Sequence, residues 1–547
     1  MQHLFSQVPK TQIPRSKFNR SHGLKTTFDA GYLVPIYVDE VLPGDTFVMR
    51  PSLFARMATL ISPIMDNLYM DTFFFFVPER LVYDKFQRMC GEQENPDDST
   101  DFVFPTLTLS TGATVGSLFD YMGLPTGVNN LTFRVEPFRA YNLIWNEWFR
   151  DENLQDSVTV NKGETGDTAE QYTLLRRGKR HDYFTSALPW PQKGPGVELP
   201  FGGNANVVSD GAMLFTSPNY KPSVFDGVTP FSTLGLYGSG YGHSDQDSYW
   251  TPDSAGLRNM DKDGNIKYSS NSDTSSGYWS GPLFYSSGLK ADLTSATSVT
   301  INQFREAFQI QKWYERAARG GTRYTEILRS FFGVISPDAR LQRPEYLGGG
   351  SQPISLNIVA NTSATNDVSP QANLAAFGVG SSSKGGFTKS FVEHGWIIGL
   401  VNVRADLTYQ QGINRMWSRS TKFDMYWPPF AHLGEQAVLN KEIYAQGTDV
   451  DSQAFGYQER YAEYRYYPSQ ITGKFRSTYA QSLDNWHLAQ KFENLPTLSS
   501  QFIQDNPPIG RVIAVPSEPQ FLLDAWFDLK CVRPMPVYSV PGLVDHF

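Results

Sequence analysis

Near the C-terminus, in LLDAWFDLKCVRPMP (522–536), Ala525, Phe527, Leu529 and Cys531 alternate with Trp526, Asp528, Lys530 and Val532. A period of two predicts a two-sided strand. Other β-rich runs after residue 391 are WIIGLVNVRADLTY, TKFDMYWPP, YRYYPSQITGKF and GRVIAVPS. The other end of the chain reads the same way. Between about 31 and 77, Leu42-Pro43-Gly44-Asp45 predicts a turn between IYVDEV and TFVMRP. The apolar run Phe73–Val77 is of strand length and is followed by Pro78 and Glu79. A membrane helix needs ~20 apolar residues, so no membrane insertion is expected from this run.

Between the two ends the period changes. A short helix is predicted from about Glu79 to Cys90, stopped by Gly91. A second has Pro137 in its first turn, with Phe138, Tyr141, Ile144, Trp145 and Trp148 at helical spacing. Thr300 and Gln303 form a capping box for a third, which Gly320-Gly321 breaks. A fourth carries Tyr324, Ile327, Leu328 and Phe331 and ends at Gly333. Strands at both ends, with helices between, predict a mainly-β sandwich whose long connections hold the extra elements.

Three segments break these patterns. Residues 1–28 contain Lys10, Arg15, Lys17, Arg20 and Lys25 and no acid. With Pro9 and Pro14 they read as an extended basic arm, suited to phosphate contact without base specificity. Residues 201–300 hold thirteen Gly, eighteen Ser and nine Asp, against four Lys and one Arg, with no Glu. Asp, Gly and Ser favour turns, while seven Tyr and two Trp argue against simple disorder. This predicts a loop-rich surface insertion with short strands, including a hairpin about Asp263-Gly264 in 259–268. Residues 361–390, rich in Ser, Gly, Ala and Asn, read as a flexible loop. The expected organisation is an arm (1–28), a body in two parts (29–200 and 301–547) and an insertion (201–300), with helices over 301–333.

Composition narrows the function. The net charge of −8 and pI of about 5.6 argue against a surface that binds nucleic acid everywhere, and leave room for a local basic patch. Cys90 and Cys531 are too far apart in sequence for a metal motif and read as reduced thiols. MQHLFSQVPK lacks the apolar core of a signal peptide. There is no HExxH, Walker A loop, GxSxG elbow or dinucleotide glycine motif, and 259–268 fails the calcium-loop pattern. His181-Asp182 has no partner nucleophile, and Asp97-Asp98 and Asp151-Glu152 read as solvated or arginine-bridged acids. No catalytic residue, metal site or cofactor is expected. The basic run Arg176, Arg177, Lys179 and Arg180 reads as a set of interface ion pairs in preference to an inward nucleic-acid patch.

Five segments carry a resemblance: 16–47, 69–86, HDYFTSALPWPQKG (181–194), EPFRAYNLIWNEWFRDENLQD (136–156), and 301–350. Together they closely resemble the major capsid protein of gokushoviruses, small tailless phages with single-stranded DNA. The resemblance implies an eight-stranded viral jelly roll with large loop insertions and several short helices. It implies that many copies form the smallest type of icosahedral shell around a circular single-stranded DNA genome. An internal scaffolding protein and a minor DNA-delivery protein are implied as partners, with assembly in the host cytoplasm. It also implies that the insertion clusters at threefold axes as protrusions.

Site expectations follow. Lys10, Arg15, Lys17, Arg20 and Lys25 are expected to face DNA. Trp145, Trp148, Trp313 and Tyr314 are expected in the body, at subunit contacts or directly beneath them, with Arg316, Arg319, Arg323, Arg340 and Arg343 either fixing register against a neighbour's carboxylates or forming bridges within the chain. Tyr237, Tyr241, Tyr249, Trp250, Tyr268, Tyr278 and Trp279 are expected to meet a host surface receptor. The alternative is a soluble jelly-roll protein that binds or cleaves carbohydrate, its aromatics forming a sugar platform.

Overall fold

In the computed structural model, ten strands form one antiparallel sheet. They are β1 (Ser16–Asn19), β2 (His22–Phe28), β3 (Val34–Val41), β4 (Thr46–Met57) and β5 (Leu68–Pro78), then β6 (Glu345–Ala360), β7 (Leu374–Ser382), β8 (Phe387–Ser390), β9 (Gly395–Ala405) and β10 (Phe521–Arg533). The structure describes residues 14–93, 95–96, 98–197, 301–335, 342–363, 365 and 370–538, and the backbone of short strands between 206 and 292. Two compact units result, Met1–Pro195 with Trp313–Phe547, and Gly196–Lys312.

The order across the sheet is β1-β10-β4-β7-β6-β5-β9-β3, with β2 also on β10 and β8 also on β4. β6 makes the corner. Its first part, Glu345–Ile354, pairs with β5, and its last part, Ser355–Ala360, pairs with β7. The two halves close on a shared core. Val34, Phe74, Phe76, Ile397 and Val401 from β3, β5 and β9 meet Phe47, Met49, Leu53, Phe527 and Leu529 from β4 and β10. Tyr37 and Phe527 lie 5.3 Å apart across it. This curled sheet is the jelly-roll sandwich expected. Along β10, Ala525, Phe527, Leu529 and Cys531 are buried while Trp526 and Lys530 are exposed, as the alternation requires.

β5 and β9 are instead apolar on both faces, because both faces are covered. Phe75, Val77, Ile398 and Leu400 turn away from the sandwich core. They pack with Phe138, Tyr141, Ile144 and Trp145 of the helical segment that begins with α1 (Glu136–Ile144). A strand covered on both sides needs a continuous hydrophobic run rather than alternation, which accounts for FFFFV and WIIGLV. α1 passes into a π-helical turn at Trp145–Phe149.

Several expectations are corrected. The basic segment is not an arm from Ser16 onward: β1 and β2 both pair with β10. Backbone hydrogen bonds to an edge do not depend on side-chain polarity, so a basic, apolar-poor segment can still join a sheet. The helix expected over Glu79–Cys90 is two fragments, Glu79–Leu81 and Phe86–Met89. Residues 82–85, between them, are turn and irregular chain. Of the presumed flexible 361–390, residues from Leu374 form β7 and β8. TKFDMYWPP, YRYYPSQITGKF and GRVIAVPS are not strands but 3₁₀ turns and irregular chain.

In the second unit the short strands form antiparallel ladders. Asn206–Ser209 pairs with Leu289–Asp292, which brings the two ends of the insertion together. Met213–Ser217 pairs with both Tyr220–Phe225 and Phe284–Ser286, and Tyr249–Asp253 pairs with Gly256–Met260. The hairpin expected about Asp263-Gly264 lies outside the described residues. The third and fourth helices are α2 (Ile301–Arg319) and α3 (Tyr324–Phe332). Gly333, at φ 70°, caps α3 by donating its N–H to Arg329 O at 3.0 Å. Thr300, half of the expected capping box, lies outside the described residues.

Candidate functional site

Arginines packed among acids and aromatics invite two readings, cohesion within one subunit or recognition between subunits. The structure assigns most of them to cohesion. Arg176 lies 3.9 Å over the Tyr32 ring and donates to Asp505 O at 3.0 Å. Arg177 pairs with Asp71 at 2.5 Å. Lys179 donates to Gln490 Oε1 at 2.8 Å and sits 4.4 Å over Phe502. Arg180 pairs with Asp406 at 3.1 Å, over Tyr69. These contacts tie the segment before 181–194 to the body of its own chain, correcting the interface reading. Burial lowers Lys179 to about 8 and raises Asp505 to about 7.

The arginines of the 313–343 region behave similarly. Arg319 pairs with Glu435 and Glu459. Arg323 meets Glu152 at 3.0 Å and Glu326 at 3.2 Å, and donates to Asn146 O at 3.0 Å. Arg316 donates to Ser330 O at 2.5 Å and lies 5.3 Å over Phe331. Arg343 lies 4.7 Å over Trp148. Arg340 lies outside the described residues. Arg319 and Arg323 thus meet carboxylates of their own chain.

The aromatic candidates divide. Trp145 is 5% exposed and donates its indole N–H to Arg176 O at 2.9 Å, so it is a core residue. Trp148, 36% exposed, lies beside Phe75 and Tyr346. Trp313 is 53% exposed, stacked on Phe331 and edge-on to Tyr314. Tyr324, Phe332 and Ile335 also present large exposed apolar area in this region.

Among the DNA-facing candidates, Arg20 makes a two-pronged pair with Asp39 at 2.6 and 2.9 Å. Lys25 pairs with Asp524 at 2.9 Å on the surface. Arg15 donates to Gly44 O and Thr46 Oγ1. Lys17 is exposed on β1. Lys10 lies outside the described residues. So do Tyr237, Tyr241, Tyr268, Tyr278 and Trp279; Tyr249 and Trp250 fall in the strand Tyr249–Asp253.

A surface that the sequence reading misplaced lies in 414–430 and 460–467. Short 3₁₀ turns at Arg415–Ser418, Lys422–Asp424 and Ala462–Tyr464 present Trp417, Phe423, Tyr426, Tyr464 and Tyr467 to solvent. The turns are held in place. Asp424 accepts from Ser420 N and Thr421 N at 3.0 and 2.7 Å, and those bonds lower its pKa. Trp427 Nε1 donates to Lys422 O at 2.7 Å, and Tyr426 N donates to Tyr464 Oη at 3.3 Å. Arg419 lies 4.3 Å over Tyr464 and pairs with Glu463 at 3.4 Å.

One acidic cluster carries a pH prediction. Arg134 bridges the buried carboxylates Glu79, at 2.9 Å, and Glu136, at 2.7 Å. Burial, then the neighbouring Glu136, raises Glu79 from 4.5 to about 8. The folded chain therefore holds a proton that the unfolded chain releases, and stability falls as pH rises from about 4.5 towards 8. Asp505 works in the same sense. Urea midpoints should be lower at pH 8 than at pH 5.5, and Glu79→Gln should shrink that difference. An unchanged difference in the variant would rule Glu79 out as a source.

Among the described residues, no group of three or more His, Cys, Asp or Glu is placed to hold a metal ion. Among them too, no helix is long and apolar enough to cross a membrane.

Comparison with known proteins agrees with a shell-forming role. The family described as capsid protein (F protein) matches residues 6–543. Capsid protein VP1 of Bdellovibrio phage phiMH2K is 48% identical over 553 residues, covering 100% of this chain and 98% of the relative. Capsid protein VP1 of Chlamydia phage 1 is 45% identical over 592 residues, covering 99% and 98%. Capsid protein VP1 of Spiroplasma virus 4 is 37% identical over 570 residues, covering 99% and 97%. With a curled antiparallel sheet carrying large insertions, and likeness along its whole length, the chain belongs to the phage capsid protein (F protein) family and is a structural capsid protein.

Proposed function

We propose that many copies of this chain assemble, in the host cytoplasm, into a small icosahedral shell around a circular single-stranded DNA genome. The observation that carries this is the full-length likeness to the VP1 capsid proteins, joined to the exposed rings of Trp148, Trp313, Tyr324 and Phe332. Large exposed aromatics beside already-paired arginines suit contact between copies: burial of apolar area drives association, and the neighbouring charges orient it. An internal scaffolding protein and a minor DNA-delivery protein act with the shell in this reading. Lys10 and Lys17 contribute phosphate contacts from the N-terminal segment.

The second unit serves host recognition. Tyr and Trp offer apolar area with a polar tip at low side-chain entropy cost, which suits binding to sugars or proteins. Deleting 230–280 and joining the ends with a short Gly/Ser linker tests this role. The ladders of Met213–Ser217 with Tyr220–Phe225 and Phe284–Ser286 would be kept, since both flank the deletion. Assembled particles that no longer adsorb to cells are the expected result. Particles that adsorb normally would remove the host-recognition role, and failure to assemble would make the segment a tie between copies.

A further inference from the structure

We propose that the uncovered face of the sandwich, built by β1, β2, β10 and β4, binds single-stranded DNA, stacking bases on Trp526 and Phe54 and holding phosphates on Lys17, Arg50, Arg56 and Lys530. The proposal rests on the single-stranded DNA genome of the preceding section and assigns that genome a contact site on the chain.

Packing leaves this face open. On the other half of the sandwich, the helical segment covers the outer side of β5 and β9. β4 and β10 instead alternate strictly. Along β4, Arg50, Ser52, Phe54 and Arg56 are exposed while Met49, Leu53, Ala55 and Met57 are buried. Along β10, Leu522, Asp524, Trp526 and Lys530 are exposed. Paired residues of adjacent strands share a face, so these side chains stand in rows. Gly23, Trp526 and Ser52 form one row, and Lys25, Asp524 and Phe54 form the next. On the other side of Trp526 come Asp528 with Arg50, then Asn19 with Lys530.

Charge gives the face its partner. Elsewhere in the body arginines close on carboxylates of their own chain, as Arg177, Arg319 and Arg415 do. Here Lys25 takes Asp524. Among the described residues, no ion pair engages Lys17, Arg50, Arg56 or Lys530. Asp528 is the face's other acid, so cations prevail on it in a chain whose net charge is −8. Its two edge strands come from residues 1–28, which contain no acid. Unpaired cations on such a face displace counterions from a phosphate backbone without reading its sequence. A strand rises ~3.4 Å per residue, so Arg50 and Arg56 stand about 20 Å apart, with Ser52 and Phe54 between them.

The aromatic geometry separates a strand of DNA from a second copy as the occupant. Trp526 is 52% exposed and Phe54 43% exposed. The Trp526 ring lies across β2: a Cβ on Gly23 would stand 3.5 Å from its Cε3 and 3.8 Å from its Cζ3. Gly23 and Ser52 flank it, so no large side chain rises beside the ring in its own row. An anchor of a protein contact fills a pocket of its partner. A ring laid along its own sheet does not project in that way, but it offers a π-face to a base. Rings carried on an open sheet face beside cations are a known means of stacking unpaired bases.

The test is fluorescence anisotropy of a labelled 20-nucleotide oligo(dT), titrated with the full chain over a range of salt. The paired change Arg50→Gln with Arg56→Gln alters only exposed side chains. It should lower the salt slope by up to about 1.4, at roughly 0.7 per phosphate contact on a single strand. Trp526→Ala should weaken oligo(dT) binding by about tenfold. It should weaken binding of a duplex of the same length much less, because the duplex keeps its bases stacked on one another. Particles from the charge variant should also contain less nuclease-protected DNA.

No binding of oligo(dT) by the wild-type chain, or unchanged affinity in both variants, overturns the proposal. An equal loss on oligo(dT) and duplex in Trp526→Ala overturns the stacking role. A charge variant that binds oligo(dT) normally but no longer forms shells also overturns the proposal, since the face would then be a contact between copies. If Trp526→Ala loses its near-ultraviolet circular dichroism, the charge variant decides by the salt slope. Failure of the wild-type chain to form shells would count against the capsid reading instead, and is scored separately from DNA binding.

Discussion

Arg139→Met is expected to leave little soluble, folded protein. Arg139 is fully buried, and it is the largest such side chain in the described core. Its guanidinium donates to Val82 O at 2.8 Å and Gly163 O at 2.8 Å, and pairs with the equally buried Asp167. Tyr172 also donates its hydroxyl to Asp167. Methionine fills the volume but leaves a buried carboxylate without its counter-ion and two carbonyls without donors. Breaking one side of a buried pair costs about 3–5 kcal/mol, against a total stability of about 5–15 kcal/mol. The double variant Arg139→Met with Asp167→Leu should recover a large part of the loss, because no lone charge remains. Urea unfolding followed by tryptophan fluorescence checks both. A single variant within about 1 kcal/mol of wild type would show that water reaches Asp167 and that α1 is not fastened by this pair.

Trp145→Ala and Trp313→Ala are expected to fail at different stages. Trp145 sits in the second core between α1 and the outer face of β5 and β9. Its removal should cost about 3–5 kcal/mol, as large-to-small changes of aromatic core residues do. The result should be a subunit that melts early or accumulates as aggregate. Trp313 is half exposed and packs on Phe331 alongside Tyr314, so the fold should survive its loss. If it anchors a contact between copies, each contact should lose about 2 kcal/mol or more. A shell repeats every contact many times, so assembly should stop at concentrations where wild type completes it. Circular dichroism melts paired with electron microscopy read both stages. Normal shells from Trp313→Ala would remove this residue from the contact surface.

The frame of the fold was legible because alternation and two-sided burial leave different marks. β10 alternates since one of its faces is solvent, and FFFFV does not since helix and sandwich cover β5 from both sides. The turn at Leu42–Asp45 was legible from its Pro-Gly-Asp. β7 was not, because its small residues look like loop. They are small for a packing reason: a Cβ on Gly378 would lie 2.9 Å from Met57 Cβ, and one on Gly380 would lie 3.2 Å from Ile354. A composition rich in Gly and Ser therefore signals flexibility and close approach of strands equally. The reverse error occurred at 421–429 and 464–475. Tyr, Trp and Phe suggested buried strands, but Pro428, Pro429 and Pro468 cannot donate to a ladder, and the rings are exposed on turns. Of the candidate sites, Trp313 and the cation-rich segments were visible as clusters. Whether an arginine serves its own chain depends on distant carboxylates such as Glu435 or Asp71, which no local pattern reveals.

Electron microscopy of particles purified from cells producing this chain, with and without the other proteins of its phage, tests the central claim most directly. The account predicts uniform, closed, small icosahedral shells whose wall is this chain and whose nuclease-protected content is single-stranded DNA. Only monomers, with the phage's other proteins and single-stranded DNA both supplied, would contradict it.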